Sequence, residues 1–345
     1  MKAAVYNREL GAPEIIERPI PEFGEDEILL KPISVGVCGS EVLGYRLSGP
    51  GSFGHEPAGF VERIGRNVKN VKEGDRVFIH HRVPCFVCHY CRRGHHAMCA
   101  QYLEMGFDPS AYAEYTRVKA RNIQYDTIIL PDHVSFDEGC LIEILSCVWR
   151  TMKRAHVYPG DTVMIVGAGF VGAVAIQIAK ILGAGPVFIS DLVDFKLERA
   201  KALGADGVIN PAKEDTLESL LKLNGGRKAD IVVTIAGSIR ALKDGMRLID
   251  KGGTLVQFGP VEQDATLPWA PNDFFYPEIS YIPTYSSSPF DTKEVSVYLF
   301  DGRIKVDSLI THHFPLSRIA EAMDMKKLAE SSLKIIVHPH PEQKT

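Results

Sequence analysis

Two periods govern the apolar positions of this chain, and the change from one to the other divides it. Over residues 1–148 the apolar runs are short and separated by turns. Glu27-Ile28-Leu29-Leu30-Lys31-Pro32-Ile33 and Phe60-Val61-Glu62-Arg63-Ile64 read as strands, and Gly74-Asp75 turns into a further strand at Arg76-Val77-Phe78-Ile79. This is the pattern of a β-rich, barrel-like unit. Near Tyr158-Pro159-Gly160-Asp161 strands begin to alternate with helices, as a parallel α/β sheet requires. Thr162 to Val166 predicts a strand. Phe170 to Leu182 predicts a helix whose Val171, Val174, Ala175, Ile178 and Leu182 share one face. Val187 to Ser190 is a second strand, followed by a helix near Phe195 to Leu203 that Gly204 stops. Asp230 to Ile235 and Thr254 to Phe258 are later strands, and the helix between them, Ile239 to Ile249, is expected to end at Gly252-Gly253. Beyond Pro289 come helices at Lys293 to Phe300 and Leu316 to Leu328, then a strand from Leu333 to His338.

A length of 345 residues suits two domains. Hydrophobic residues at 45% and charged residues at 24% are the balance of a globular protein. A net charge of -4 with scattered Lys and Arg offers no field for nucleic acid. No apolar run reaches the roughly 18 residues that span a bilayer. The chain starts directly on a strand-like Met1-Lys2-Ala3-Ala4-Val5-Tyr6, without a signal-peptide pattern, so a cytoplasmic protein is expected. Seven cysteines in such a chain do not suggest a disulfide framework. Cys140 and Cys147 read as small buried residues.

Gly167-Ala168-Gly169-Phe170-Val171-Gly172 is a G-x-G-x-x-G run between an apolar strand and an amphipathic helix. Gly167 permits the tight turn, Gly169 the approach of a pyrophosphate, and Gly172 close packing of helix on strand; the helix N-terminus faces the phosphates. Asp191 ends the next strand, 19 residues past Gly172, where a carboxylate binds ribose hydroxyls and repels a 2′-phosphate. The alternative is that Asp191 caps the following helix. Lys196 in that helix completes the cofactor-binding set, and NAD is the expected cofactor.

Cys85, Cys88, Cys91 and Cys99 form C-x2-C-x2-C-x7-C. Four thiolates suit tetrahedral zinc and leave no open position, which is a structural site on a lobe too small for its own core. His89, His95 and His96 among them are expected as solvated loop residues. Cys38-Gly39-Ser40 and Gly54-His55-Glu56 each follow a strand, and Glu143 sits inside Leu141-Ile142-Glu143-Ile144-Leu145, where a carboxylate needs a partner. Cys, His and Glu together bind zinc and leave a fourth position for a substrate. Ser40 either relays a proton from that substrate or caps a helix. Tyr45, Phe53, Phe107 and Trp269 are candidate pocket walls, though an aromatic is more often a core residue.

With these motifs in order, the sequence resembles the zinc-containing medium-chain dehydrogenases, most closely their sorbitol and threonine dehydrogenase branch. Val37-Cys38-Gly39-Ser40, Phe53-Gly54-His55-Glu56 running to Lys72-Glu73-Gly74-Asp75-Arg76-Val77, the four-cysteine lobe, Leu141-Ile142-Glu143, Val166 to Gly172 and the tail from Gly302 to Leu316 carry the resemblance. It implies an α/β protein: a GroES-like β-rich catalytic domain in residues 1–148 and 289–345, with a Rossmann doubly wound parallel sheet inserted as residues 149–288. It implies two zinc ions, one structural and one catalytic, the latter held by Cys38, His55 and a carboxylate. In this branch the Glu matching Glu56 commonly binds the metal and the one matching Glu143 can approach or exchange with it. It also implies a small-molecule alcohol or polyol substrate and a homodimer or homotetramer.

The chain departs from the family in the 16 residues between Cys38 and His55, fewer than usual. It carries Glu41 where Asp is common, Leu43 and Tyr45 where a relay His often lies, and Thr234-Ile235-Ala236-Gly237 in place of an acidic turn. The expected reaction is hydride transfer from a secondary alcohol of a polyol, sugar or inositol-like substrate to NAD. A threonine-type dehydrogenase is the alternative and would need Arg46 or Arg117 for the carboxylate. A zinc-independent quinone or enone reductase would lack Cys38, His55 and Glu56, and a non-enzymatic NAD-binding protein would hold only the structural zinc.

Overall fold

Val163–Val166 is apolar at every position and lies buried at the centre of a six-stranded sheet. The sheet runs Gly207–Ile209, Val187–Ser190, Val163–Val166, Ala229–Thr234, Ile249–Gln257, Ser280–Pro283, and every pairing is parallel. Strands covered on both faces read as continuous apolar runs, which is why Val-Met-Ile-Val and Val-Phe-Ile-Ser carry no alternation. Helices Phe170–Ile181, Asp194–Ala202 and Ile239–Leu248 connect them. This is a Rossmann arrangement. It belongs to the second of two compact units in the computed structural model, made of residues 147–286 and 301–305; the first comprises residues 1–146, 287–300 and 306–345. The structure describes residues 1–7, 9, 11–42, 53–328 and 330–340.

The first unit is built on a seven-stranded sheet ordered Ile310–Pro315, Lys334–His338, Ile28–Gly36, Pro57–Ile64, Arg76–Ile79, Thr127–Ile129, with Thr116–Val118 also paired to Ile28–Gly36. Only the first pair is parallel. Lys2–Asn7 and Ala12–Glu17 form a separate antiparallel pair. Ile28, Leu30, Val35, Val61, Val77, Ile79, Ile335 and Val337 point into one core from four strands. The returning segment is tied in by polar contacts: Tyr102 Oη donates to the Ser287 carbonyl at 3.0 Å, and Thr292 Oγ1 to Asp126 at 2.6 Å.

Two elements differ from the sequence reading. The helix expected to reach Gly252-Gly253 stops at Leu248, and both glycines lie inside the strand Ile249–Gln257. Gly252 adopts φ +74° there, and the register against Ala229–Thr234 shifts, so the pair accommodates an irregular strand rather than ending a helix. The apolar stretch around Glu143 is the start of a helix, Ile142–Arg154. Among the described residues no helix is long and apolar enough to cross a membrane.

Asp126 has no exposed surface, and its Oδ2 has no hydrogen-bond partner among the described residues. Burial pushes its carboxyl up to about 7. The folded state therefore holds a proton that the unfolded chain releases near pH 4, and this group's contribution to stability is present at low pH and lost as pH rises from about 4 to 7. Asp126→Asn should keep the Thr292 hydrogen bond and flatten that part of the profile. Thermal melts of the two proteins across this range should converge at the acid end and separate toward neutrality, with the variant the more stable.

Candidate metal and dinucleotide sites

Three neighbouring strands end at one edge of the first sheet. Val35 pairs with Pro57 and Ala58 with Phe78, so the residues just past Gly36, just before Pro57 and just past Ile79 emerge together. Those residues are Cys38, His55-Glu56 and His80-His81. Ligand atoms of Cys38, His55 and Glu56 lie within 4.8 Å of one another. Glu143, from the first turn of helix Ile142–Arg154, is grouped with His80 and His81 instead, again within 4.8 Å. The rings of His55 and His81 are 4.9 Å apart and link the two groups.

Glu41, buried in the short helix Gly39–Val42, organises the first group. Its Oε1 accepts from the Gly54 N–H at 2.7 Å and lies 3.2 Å from His55 Nδ1; its Oε2 accepts from the Cys38 N–H at 3.1 Å and from Tyr112 Oη at 2.9 Å. A carboxylate on one imidazole nitrogen fixes the proton there and leaves Nε2 as the ligand atom. Burial works to lower the His55 pKa, but the charges of Cys38 and Glu41 outweigh it and hold the ring well above 6.5. The site thus favours a positive charge.

Glu56 is fully buried. Lys334 Nζ donates to its Oε2 and to the Val37 carbonyl, the latter at 3.2 Å, while Glu56 Oε1 has no hydrogen-bond partner among the described residues. A buried carboxylate oxygen left without a donor is costly, and a metal ion beside Cys38 and His55 would satisfy it. Gly36 makes room: a Cβ at that position would overlap Glu56 Oε2. The donor set fits zinc.

Ser40 is exposed, stands inside the helix rather than at its cap, and donates to Cys38 Sγ at 3.2 Å. Of the candidate pocket walls, Phe53 and Phe107 are core residues, and Trp269 packs on Phe274 and Tyr281 in the other unit. Phe53 and Phe107 are buried there, and Trp269 is half-buried. Leu43, Tyr45 and Arg46 lie outside the described residues. Arg117 is paired with Asp108 at 3.2 Å.

His80, His81, Glu41 and Lys334 were not singled out as functional residues from the sequence. Two adjacent histidines at the end of a strand were the available signal, since neighbouring strand residues point to opposite faces and cannot both be buried without polar partners. Burial lowers the His80 pKa to about 4, and His81 Nδ1 has no hydrogen-bond partner among the described residues.

Cys85, Cys88, Cys91 and Cys99 also bring their sulfurs within 4.8 Å. Cys88 and Cys91 sulfurs are 3.4 Å apart, Cys85 and Cys91 3.9 Å, close to the roughly 3.8 Å edge of a tetrahedron with 2.3 Å zinc–sulfur bonds. The Val87 backbone N–H brings the Cys85 thiol down to about 6, and burial with neighbouring sulfurs pushes Cys91 up to about 12. Four sulfurs so close become thiolates together only around a cation. His89 and His95 are exposed, and His96 packs on Phe86 and Phe290.

In the second unit, Gly167 takes φ +111° between strand Val163–Val166 and helix Phe170–Ile181. Gly169 precedes the helix with nothing within 4 Å of where a Cβ would stand, and a Cβ on Gly172 would fall on the Gly167 carbonyl oxygen. Phe170 is buried and Val171 half-buried in the first turn. Asp191 does not cap helix Asp194–Ala202, whose N-cap is Val193. It accepts from the Ala168 N–H at 2.8 Å and the Val193 N–H at 3.0 Å, which locks its carboxylate against the glycine turn. Lys196 is largely buried on that helix.

Two substitutions probe these arrangements. Glu41→Gln keeps the shape but removes the charge on His55 Nδ1, and zinc affinity measured by chelator competition should fall at least about 10-fold, as for other outer groups that orient a ligand. Gly172→Ala forces the turn apart, and titration of bound NADH by fluorescence should show a loss of at least about 10-fold, since the helix can no longer pack against Gly167.

Residues 24–128 match the alcohol dehydrogenase GroES-like domain model and residues 171–299 the zinc-binding dehydrogenase model. Sorbitol dehydrogenase of Bacillus subtilis is 30% identical over 99% of this chain and 98% of its own. L-threonine 3-dehydrogenase of Bacillus velezensis is 30% identical over 98% and 99%. Galactitol-1-phosphate dehydrogenase of Escherichia coli superposes with a TM-score of 0.85 at 27% identity, covering 98% of this chain and 100% of that one. The chain belongs to the zinc-containing medium-chain alcohol dehydrogenase family.

Proposed function

We propose that this protein oxidises a secondary hydroxyl of a polyol, sugar or inositol-like substrate, with NAD as the hydride acceptor. The observation that carries the reading is the convergence of Cys38, His55 and Glu56, with one Glu56 oxygen left without a donor among the described residues. A zinc ion held by these three residues would act as a Lewis acid toward the substrate hydroxyl in the remaining position. NAD supplies the redox chemistry; the protein orients the reactants. Cys85, Cys88, Cys91 and Cys99 would hold a second, structural zinc. Glu143, beside His81, offers a further carboxylate for exchange at the first site.

The protein's own groups divide the remaining work. Lys334 holds one Glu56 oxygen, so the other keeps its direction. Glu41 orients His55. Ser40 Oγ, next to the Cys38 sulfur and open to solvent, takes the substrate hydroxyl proton and passes its own to water. This route needs no relay histidine. Asp191, fixed by two backbone N–H groups, accepts from the ribose hydroxyls and repels a 2′-phosphate, which favours NAD over NADP.

Relatives named for sorbitol and galactitol-1-phosphate support a polyol-type substrate. The threonine relative keeps a 3-hydroxy amino acid as the second reading. That substrate needs a cation for its carboxylate, and Arg117 is already paired with Asp108, so the polyol reading is preferred. A homodimer or homotetramer would form through strand Ser280–Pro283, an edge strand of its sheet, which carries exposed Tyr281 beside exposed Phe275 and Tyr276. Cysteines gathered as metal ligands, four in one group and Cys38 in another, suit the reducing cytoplasm.

A panel of polyols, inositols, sugar acids and threonine, assayed for NADH formation with and without a chelator, tests the reading. Chelator-sensitive NADH formation is expected with a polyol or sugar. Cys38→Ser should abolish turnover and leave NADH binding unchanged. Retention of most of kcat by that variant would remove the zinc mechanism, and threonine as the sole substrate would promote the second reading.

A further inference from the structure

Away from both metal sites, the first unit holds another group of potential ligands: Asp137, His313 and His338. Three elements supply them. Asp137 lies in the short helix Phe136–Gly139, His313 on strand Ile310–Pro315 and His338 at the end of strand Lys334–His338. The two strands pair in parallel with Pro315 opposite His338 and His313 opposite Ile336, so the histidines sit diagonally on one face. Their rings stack, 19° from parallel with centroids 5.3 Å apart.

The spacing of the donor atoms fits an ion. His313 Nδ1 is 3.0 Å from His338 Nε2 and 3.4 Å from Asp137 Oδ2, and His338 Nε2 is 3.6 Å from Asp137 Oδ1. Ligands about 2.0–2.2 Å from a tetrahedral metal stand roughly 3.3–3.6 Å from one another; both separations to Asp137 fall in that range, and the two histidine nitrogens, now at hydrogen-bond length, would part slightly to admit the ion. The outer contacts fit as well. His338 Nδ1 is 3.1 Å from the Ile33 carbonyl, which places its proton on Nδ1 and the Nε2 lone pair toward the cluster. Ser34 Oγ donates to Asp137 Oδ1 at 2.5 Å. A backbone carbonyl behind a histidine and a hydroxyl behind a carboxylate are the supports that ligand residues use.

We propose that Asp137, His313 and His338 form a further binding site for a divalent transition-metal ion of the zinc or cobalt class. Two imidazoles and one carboxylate select such ions over magnesium and calcium, which prefer all-oxygen sites. The His338 side chain is 5% exposed, that of Asp137 25% and that of His313 38%, so the ion enters from the His313 side and keeps water in its fourth position. Without metal, His313 Nδ1–H donates to His338 Nε2; with metal, that proton moves to Nε2 of His313. The ion would join the outermost strand of the sheet, its neighbour and the Phe136–Gly139 helix.

Cobalt(II) is the probe. The purified holoprotein is incubated with cobalt chloride, passed through a desalting column and analysed for metal. Wild type should retain one cobalt per chain more than His313→Ala and Asp137→Asn, and the added ion should show visible d–d bands with no increase in the near-ultraviolet thiolate-to-cobalt band. His312→Ala alters the neighbouring histidine, which lies outside the cluster, and should retain the extra ion. His313 is the exposed member of the group, so its variant tests the site without opening the core. Equal cobalt in wild type and His313→Ala, or an equal loss in His312→Ala, overturns the proposal. The comparison counts a difference between proteins, so it does not depend on how many ions the cysteine-containing sites hold.

Discussion

Glu56 is buried, and one of its two oxygens is met by Lys334 while the other has no donor among the described residues. A buried ion pair offsets part of the cost of taking both charges from water, and an unpaired oxygen leaves the rest outstanding. Around it stand Cys38, His55 and Glu41, whose hydrogen bonds to Gly54, Tyr112 and the Cys38 backbone hold the loop ends together. The local structure is therefore tensioned toward a cation. Zinc chemistry and the geometry of three strand ends are two aspects of one electrostatic demand.

The glycine turn of the other unit works by the opposite device. Nothing there is charge-starved except the start of the helix itself, whose first N–H groups have no side-chain cap. Absence of side chains at Gly167, Gly169 and Gly172 creates the space, and Asp191 supplies the single directed charge. One unit gathers side-chain donors that would hold a small ion; the other omits side chains where a backbone would meet phosphate.

How much of this could be read from the chain follows from how local each feature is. The Rossmann alternation and the G-x-G-x-x-G turn are contained within short windows, as is the cysteine quartet, and all were visible as patterns. Cys38, His55 and Glu56 were visible as residues, but their convergence depends on strand register, which a linear reading does not provide. Glu143 was recognised as a carboxylate in need of company; that its company is His80 and His81 comes from a helix start meeting a strand end. Glu41 was noted only as a departure from the family, whereas its extra methylene lets it span from the Cys38 backbone to His55. Gly252-Gly253 misled because a glycine pair suits an irregular strand as well as a helix end.

Lys334 stands 278 residues beyond Glu56 in the chain. The first unit is assembled from three separated segments, and the strand carrying Lys334 belongs to the last of them. During synthesis, Cys38, His55 and Glu56 leave the ribosome long before the lysine that neutralises their carboxylate. The inserted unit has most of its sequence in one stretch and can fold on its own schedule, while the metal-binding edge waits for the end of translation. A nascent chain would thus carry Glu56 without its countercharge until the last strand is made, so the charge balance of this edge is completed late.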